Sequence, residues 1–459
     1  MALDLFVVLI YAAAMLILGY YGMRKAKTHE DYLVAGRNLG PSLYMGTMAA
    51  TVLGGASTVG TVRLGYVHGI SGFWLCAALG CGIVALNLCL AKPLLKLKVF
   101  TVTQVLEKRY NPMARTASAT IMLAYALMIG VTSILAIGTV LQVLFGLPFW
   151  ISVLLGGGIV VTYSTIGGMW SLTLTDIVQF GIQTVGLMFV LLPICLYRVG
   201  GWDQLVAQLP AASFNFTSIG WDTIITYFMI YFFGILIGQD IWQRVFTAKS
   251  EKVAKYAGTS AGIYCIIYGL VCALIGMAAH VLIPDLDNVN NAFAAIVKVS
   301  LPDGIRGLVI AAALAAMMST ASAGLLAAST TLTEDLLPKL RGGKQSNVAV
   351  SRLFTLLTGI AVLGIALVVN DVISALTLAY NLLVGGMLIP LMGAIFWKRA
   401  TTAGAISAMT LGFITALVFM VKDGMDANSP IYYSLGVSLV SFVLVSLFSP
   451  RPATVATAV

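Results

Sequence analysis

Residues Gly46–Gly65 read GTMAATVLGGASTVGTVRLG, and the fold turns on how this stretch is understood. It lies in an apolar run long enough to cross hydrocarbon. Its middle nevertheless carries the adjacent glycines Gly54 and Gly55, set among Ala49, Ala50, Thr51, Ala56, Ser57 and Thr58. Glycine weakens a helix and permits unusual backbone angles. An unwound turn inside a membrane must have its backbone polar groups satisfied by something other than water. A bound cation can do so through the freed carbonyls, as at the midplane breaks of many secondary transporters. The alternative is an intact helix whose small residues let a neighbour pack closely. This stretch alone leaves both open.

The rest of the chain supports a membrane setting. Of 459 residues, 60% are hydrophobic and 9% charged, where a soluble domain carries about 25% charged residues. The mean hydropathy is +0.99. The sequence predicts about 13 spans, near 2–22, 42–66, 71–95, 115–144, 148–165, 176–198, 222–242, 257–283, 305–336, 350–369, 372–396, 401–421 and 430–449. The split at Asn370–Asp371 is the weakest boundary. The N-terminal MALDLFVVLIYAAAMLILGYYG lacks a basic leader and a clear cleavage site, so it reads as a retained first span. The six cysteines sit mostly in apolar runs and read as small buried hydrophobes. Trp74, Trp170, Trp221 and Trp242 fall near span ends and read first as interfacial belt residues.

The net charge of +9 comes from basic residues crowded on one side. With the loop RKAKTHEDYLVAGRNLG (24–40) placed inside, 21 of the 26 lysines and arginines face the cytoplasm. This positive-inside bias puts the N-terminus outside and the C-terminus in the cytoplasm. It accounts for the basic charge without nucleic acid.

Two further stretches fit the first. AAALAAMMSTASAGLLAASTTLTEDLL (311–337) carries Ser319 and Thr320 side by side near its middle. Their hydroxyls can ligate a hard cation alongside backbone carbonyls from another helix, or simply back-bond to their own helix. YFMIYFFGILIGQDIWQRVFTAKS (227–250) has Gly234 and Gly238 inside its span. Interrupted spans five apart suggest an inverted repeat of spans 2–6 and 7–11. The organisation is therefore residues 1–41 as first helix and loop, 42–200 and 201–396 as the two core repeats, and 397–459 as two further helices and a tail.

Four motifs in order resemble the sodium:solute symporter family: DYLVAGRNLG (31–40), STIGGMWSLTLTDIVQF (164–180), GQDIWQRVFTAKS (238–250) and AAMMSTASAGLLAASTTLTEDL (315–336). The resemblance implies an all-α polytopic membrane protein with a ten-helix inverted-repeat core, the LeuT-like fold. It implies sodium coupling, with backbone carbonyls at Ala50, Leu53 and Ala316 and hydroxyls at Ser319 and Thr320 as ligands. Asp176 matches an aspartate on the family's cytoplasmic sodium path, although Leu174 departs from the tryptophan often found two residues before it. An N-terminal helix cap is the other reading of Asp176.

For the solute, the resemblance points to Gly55, Ala56, Ser57, Phe233, Gly234, Gln239, Tyr380 and Asn381. Ala56 and Ser57 replace the long polar arms of sugar-carrying relatives, which disfavours a sugar. A small carboxylate, amino-acid-like or amine compound remains. Arg63 reads either as a residue attracting a carboxylate or as an interfacial arginine. The expected function is sodium-coupled import by alternating access, with a proton-coupled carrier, a channel or a transporter-like sensor as alternatives. No phosphate-binding loop GxxxxGK[ST] appears, so ATP drive is not expected, and the three histidines form no catalytic set. The protein is expected in the cell membrane among lipids, with a monomer sufficient for transport.

The charge bias is directly testable. Single cysteines introduced at Lys25 and Arg451 should resist an impermeant thiol reagent added to intact cells, while one at Asp285 should react. Labelling of all three from outside would reject the orientation.

Overall fold

The protein is seen in a computed structural model that describes residues 2–340, 342, 346–369, 371–425 and 427–450. Asn370 and Arg451 lie outside the described residues. The elements are helices α1 (Ala2–Lys25), α2 (Pro41–Val52), α3 (Thr61–His68), α4 (Trp74–Ala85), α5 (Pro112–Phe145), α6 (Phe149–Gln183), α7 (Trp221–Tyr227), α8 (Gln239–Val245), α9 (Glu251–Leu282), α10 (Ile305–Thr331), α11 (Val348–Ala366), α12 (Val372–Leu383), α13 (Thr402–Asp423) and α14 (Ser429–Phe448), with short turns and amphipathic pieces between. Helices are what hydrocarbon selects, because they satisfy their own backbone groups.

Ten helical stretches are long and apolar enough to cross a membrane, or eleven when Trp221–Ile237 and Gln239–Val245, bent by 48°, are taken as one. Two of the ten are far too long for one crossing. Ala56–Leu97 has 42 residues and Phe149–Val199 has 51, which at 1.5 Å per residue would reach about 63 and 76 Å against about 30 Å of hydrocarbon. Each contains a corner. The first turns at the 3₁₀ segment Gly69–Phe73, where Gly69 has φ +65°. The second turns at Gly168, with φ 54° and ψ −139°. Counting each as two gives 13 spans among the described residues, the number the hydropathy predicts.

The second corner corrects an expectation. The sequence reading places a loop over 166–175, whereas the chain stays helical on both sides of the single residue Gly168. The packing of α1 shows the reversal. Gly19 lies against Tyr163, and Gly22, one turn further, lies against Ser171. Eight residues of straight helix would separate those partners by about 12 Å. The Ser171 hydroxyl also donates to the Gly19 carbonyl at 2.6 Å. Only glycine suits this corner, since a Cβ on Gly168 would sit 2.4 Å from the Tyr32 carbonyl oxygen.

α10 is the centre of the bundle, and 94% of its most apolar window is buried. Its run of Ala, Gly and Ser lets α1, α2, α5 and α6 approach closely. α13 and α14 pair with each other at the periphery, with 39% and 33% of their windows buried. At the end of the bundle rich in basic residues, polar contacts tie loops to helix ends. Arg115 forms ion pairs with Asp335 at 2.9 Å and Glu107 at 2.6 Å, and His29 Nε2 lies within hydrogen-bond distance of Glu334 at 2.8 Å.

Two side-chain expectations are also corrected. Cys89 is exposed and Cys81 half-buried, although Cys76, Cys195, Cys265 and Cys272 are buried as expected. Trp242 is no belt residue. It is fully buried, and its indole N–H donates to the Leu236 carbonyl at 2.7 Å. That carbonyl is freed by the helix break at Gly238, whose ψ of 133° is extended, so the tryptophan caps a break instead of anchoring an interface.

Gly168→Ala should cost about 1–3 kcal/mol in backbone strain alone, with the clash against Tyr32 added. The measurement is the thermal unfolding midpoint of purified protein in detergent, with Gly158→Ala, a site with open space around it, as the control that should change little.

Candidate functional site

The α2 helix stops because Leu53 takes φ −85° and ψ 61° and the Gly54 amide turns back to the Val52 carbonyl at 3.0 Å. Residues Ala56–Gly60 then form a π-turn before α3. The break takes away the helical amide partners of three carbonyls, and hydroxyls replace them. Ser319 donates to the Ala50 carbonyl at 2.8 Å, Thr320 to the Thr51 carbonyl at 2.7 Å, and Ser57 to the Val52 carbonyl at 2.6 Å. Ser319 also lies 2.8 Å from the Ala316 carbonyl, and Thr320 lies 3.4 Å from that of Ala50. Four of the five expected sodium ligands thus meet across the α2–α10 contact, and Leu53 supplies the non-helical residue of the break. Back-bonding within the helix does not describe Thr320, whose hydroxyl reaches a different span. The approach is close: a Cβ on Gly54 would stand 2.5 Å from the Thr320 hydroxyl oxygen.

Asp176 is not a helix cap. It lies inside the second half of the cornered stretch, fully buried. Thr47 donates to its Oδ2 at 2.5 Å, and Arg244 Nη2 lies 3.6 Å from the same oxygen. Thr47 is one turn of α2 before Ala50, about 4.5 Å along the axis, so the carboxylate sits just toward the basic end from the hydroxyl cluster. Around it, Asp176 Oδ1, Gln179 Oε1 and the Arg244 Nε, Nη1 and Nη2 atoms have no hydrogen-bond partner within the described residues.

A cavity of about 20 Å³, enough for one water molecule, touches this cluster. Its walls include Thr51, Gly54, Gly55, Ala56, Ser57, Thr320, Asp240 and Tyr380. Two larger cavities, of about 510 and 300 Å³, open toward the opposite, less basic end and share Arg63 and Ile373 in their walls.

Of the expected solute residues, Gly55, Ala56, Ser57 and Tyr380 line the central cavity. Gly234 is one residue removed, packed under the Tyr380 ring. Phe233 packs edge-on against Phe232 and does not line the cavity. Asn381 is buried with neither amide atom hydrogen-bonded among the described residues, and it too stays outside the lining. Gln239 is spent elsewhere: its Oε1 accepts from the Val102 amide at 2.9 Å and its Nε2 donates to the Phe100 carbonyl at 2.9 Å. Arg63 has a side-chain partner among the described residues. It forms an ion pair with Asp371 at 3.1 Å, both side chains about a quarter exposed.

The sequence reading missed Asp240 and Arg244. Both lie in the quoted GQDIWQRVFTAKS motif, four residues apart on α8, and both are buried. Tyr125 donates to Asp240 Oδ1 at 2.9 Å. Their signal was available: two opposite charges just past a mid-span glycine are costly in a membrane unless they serve a site.

Comparison with known proteins fits this geometry. A profile of the Sodium:solute symporter family matches residues 32–412. The osmoregulated proline transporter OpuE of Bacillus subtilis is 28% identical over 473 aligned residues, covering 97% of this chain and 94% of that protein. A sodium/proline symporter of Staphylococcus aureus is 26% identical over 438, covering 90% and 84%. Among solved structures, a Na⁺-coupled sialic acid symporter superposes with a TM-score of 0.84 at 22% identity, over 98% of this chain and 99% of that one. Mhp1, a nucleobase-cation-symport-1 family transporter, superposes with a TM-score of 0.61 at 15% identity, over 91% and 95%.

Arg244→Met strands the buried Asp176 carboxylate without its guanidinium and should destabilise the fold by about 3–5 kcal/mol. The double variant Arg244→Met, Asp176→Asn should recover part of that loss. Detergent unfolding curves of the single and double variants measure it; a double variant less stable than Arg244→Met would show that the two groups do not act as a pair.

Proposed function

The chain belongs to the sodium:solute symporter family and is a sodium-coupled symporter of a small organic solute; from that premise we propose that sodium is held between the break in α2 and the middle of α10, by the carbonyls of Ala50, Leu53 and Ala316 and the hydroxyls of Ser319 and Thr320. One observation carries this reading: carbonyls freed by the α2 break meet two hydroxyls of α10. A sodium ion there replaces hydroxyl protons as the partner of those carbonyls, while the hydroxyl oxygens turn their lone pairs to it. The ion bridges α2 and α10, so its arrival changes how firmly two spans are joined. That is the differential interaction a coupled conformational change requires.

Asp176, one turn toward the basic end, is the next stop for an ion leaving the cluster. Its unbonded Oδ1 and the neighbouring Thr47 hydroxyl offer anionic and neutral oxygens together. In this reading the basic end is cytoplasmic, the N-terminus is outside, and the repeats 42–200 and 201–396 rock about the site in alternating access. Sodium entering with the membrane potential contributes about 2.3 kcal/mol per charge per 100 mV, so no ATP is consumed. One chain supplies every residue of the site, and a monomer suffices. The solute is compact and amino-acid-like, in keeping with relatives named as proline carriers and with the small walls Gly55, Ala56 and Ser57. Arg63, paired with Asp371 in the vestibule, positions the entrance more than it attracts anions.

Replacing Ser319 and Thr320 together with alanine should raise the sodium concentration needed for half-maximal uptake by about tenfold or more, two hydroxyl contacts being worth about 1–3 kcal/mol. L-Proline uptake into proteoliposomes, titrated with sodium against potassium at fixed pH, is the measurement. Wild-type uptake that is equal in potassium would defeat the sodium site.

A further inference from the structure

We propose that Asp240 is the counter-ion for a positively charged nitrogen on the transported solute, which it holds beside the rings of Tyr125 and Tyr380. The proposal rests on the carrier reading above and names the chemistry that the same site selects.

The argument starts from charge. Asp240 is 2% exposed and sits inside the membrane-spanning core. A carboxylate there is costly unless it is paired. Tyr125 gives it one hydrogen bond at 2.9 Å. Among the described residues no lysine, arginine or histidine nitrogen forms an ion pair with it. The nearest basic residue along α8, Arg244, is engaged with Asp176 at 3.6 Å. Of the two buried carboxyl groups, Asp176 has the guanidinium within ion-pair distance and Asp240 does not, so a positive charge on the solute is the partner that Asp240 lacks.

Geometry says where that charge goes. Asp240 and Thr320 line the same central cavity, so a group bound to Asp240 is a neighbour of the proposed ion. The cavity is about 20 Å³, the scale of a single small polar group. Tyr380 is the aromatic ring in the cavity wall, and Tyr125 reaches the carboxylate through its hydroxyl. The Tyr125 and Tyr380 centroids are 5.2 Å apart at a steep angle, and Tyr231 meets Tyr380 edge-on at 5.5 Å. A carboxylate beside tyrosine rings is a setting for an ammonium, primary to quaternary, through charge and cation–π attraction. Gly234 makes it possible: a Cβ there would lie 2.1 Å from Tyr380 Cδ1, so glycine lets the ring lie flush on the α7 side of the break. Tyr231 also lines the 300 Å³ cavity that opens past Arg63. The Tyr231–Tyr380 pair therefore separates the entrance from Asp240, and the remainder of the solute extends toward the entrance.

The test uses the full-length protein in detergent, with saturating sodium against potassium. Two matched pairs serve as probes: L-proline with cyclopentanecarboxylate, and choline with 3,3-dimethyl-1-butanol. Each pair keeps its shape and differs in the nitrogen. At least one nitrogen compound should raise the unfolding temperature while its carbon isostere does not. Asp240→Asn should weaken that compound at least about tenfold, and Asp240→Glu less. The sodium concentration giving half the sodium-dependent stabilisation should be the same in all three proteins, which also shows that the variants fold. Binding of an isostere as well as its amine, unchanged amine affinity in Asp240→Asn, or no stabilisation by either amine at millimolar concentration would overturn the proposal. So would an Asp240→Asn variant whose sodium midpoint shifts while amine binding does not, since Asp240 would then be an ion ligand. Loss of the sodium response in the wild type is a different failure, that of the sodium-site reading itself.

Discussion

Two hydroxyls on one helix replace the missing amides of another, and much of this structure is arranged around that exchange. The break at Leu53–Gly54 would be costly in hydrocarbon if the Ala50 and Thr51 carbonyls went unpaired. Ser319 and Thr320 accept that burden, and they can do so only because Gly54 and the small residues of α10 let the spans touch. The same bonds are exchangeable, since a cation satisfies a carbonyl as well as a hydroxyl proton does. A break stabilised in this way is satisfied without an ion, and on the proposed reading it would still be able to bind one.

The second constraint is electrostatic. Asp176, Asp240 and Arg244 are all buried within the core, and Arg244 is the only one of the three that is positive. Charges so placed are justified by function more than by stability, because apolar residues of similar size would pack at less cost. Asp176 lies toward the basic end from the hydroxyl cluster and Asp240 beside the central cavity, so under the proposals above ion and solute would meet acidic groups at separate places along one route.

Much of this was legible in the sequence because hydrocarbon imposes strict rules. Span number followed from hydropathy and length. The glycine and hydroxyl motifs marked where a break and its partners could lie but left close helix packing and back-bonding open; it was the family resemblance that implied Ala50 and Ser319 together, 269 residues apart. What escaped was decided by single backbone angles or distant partners. The corner at Gly168 needs no loop, so no polar stretch announced it. Trp242 looked interfacial because it falls at the end of the predicted span 222–242, yet the bend at Gly238 turns it inward. Gln239 looked like a pocket residue, and its fate depends on the loop at Phe100–Val102, which no periodicity places. Arg63 has its partner at Asp371, 308 residues away. Asp240 and Arg244 were visible as letters, but their burial depends on the bend that carries α8 back into the core.

The central claim is that one ion joins the α2 break to α10. Hydrogen exchange followed by mass spectrometry on the full-length protein tests it without any knowledge of the solute. Sodium titrated against potassium at constant ionic strength should slow exchange in peptides covering residues 46–60 and 314–325, and both should respond with the same midpoint. Protection of only one of the two segments, or equal protection by potassium, would contradict a shared sodium site.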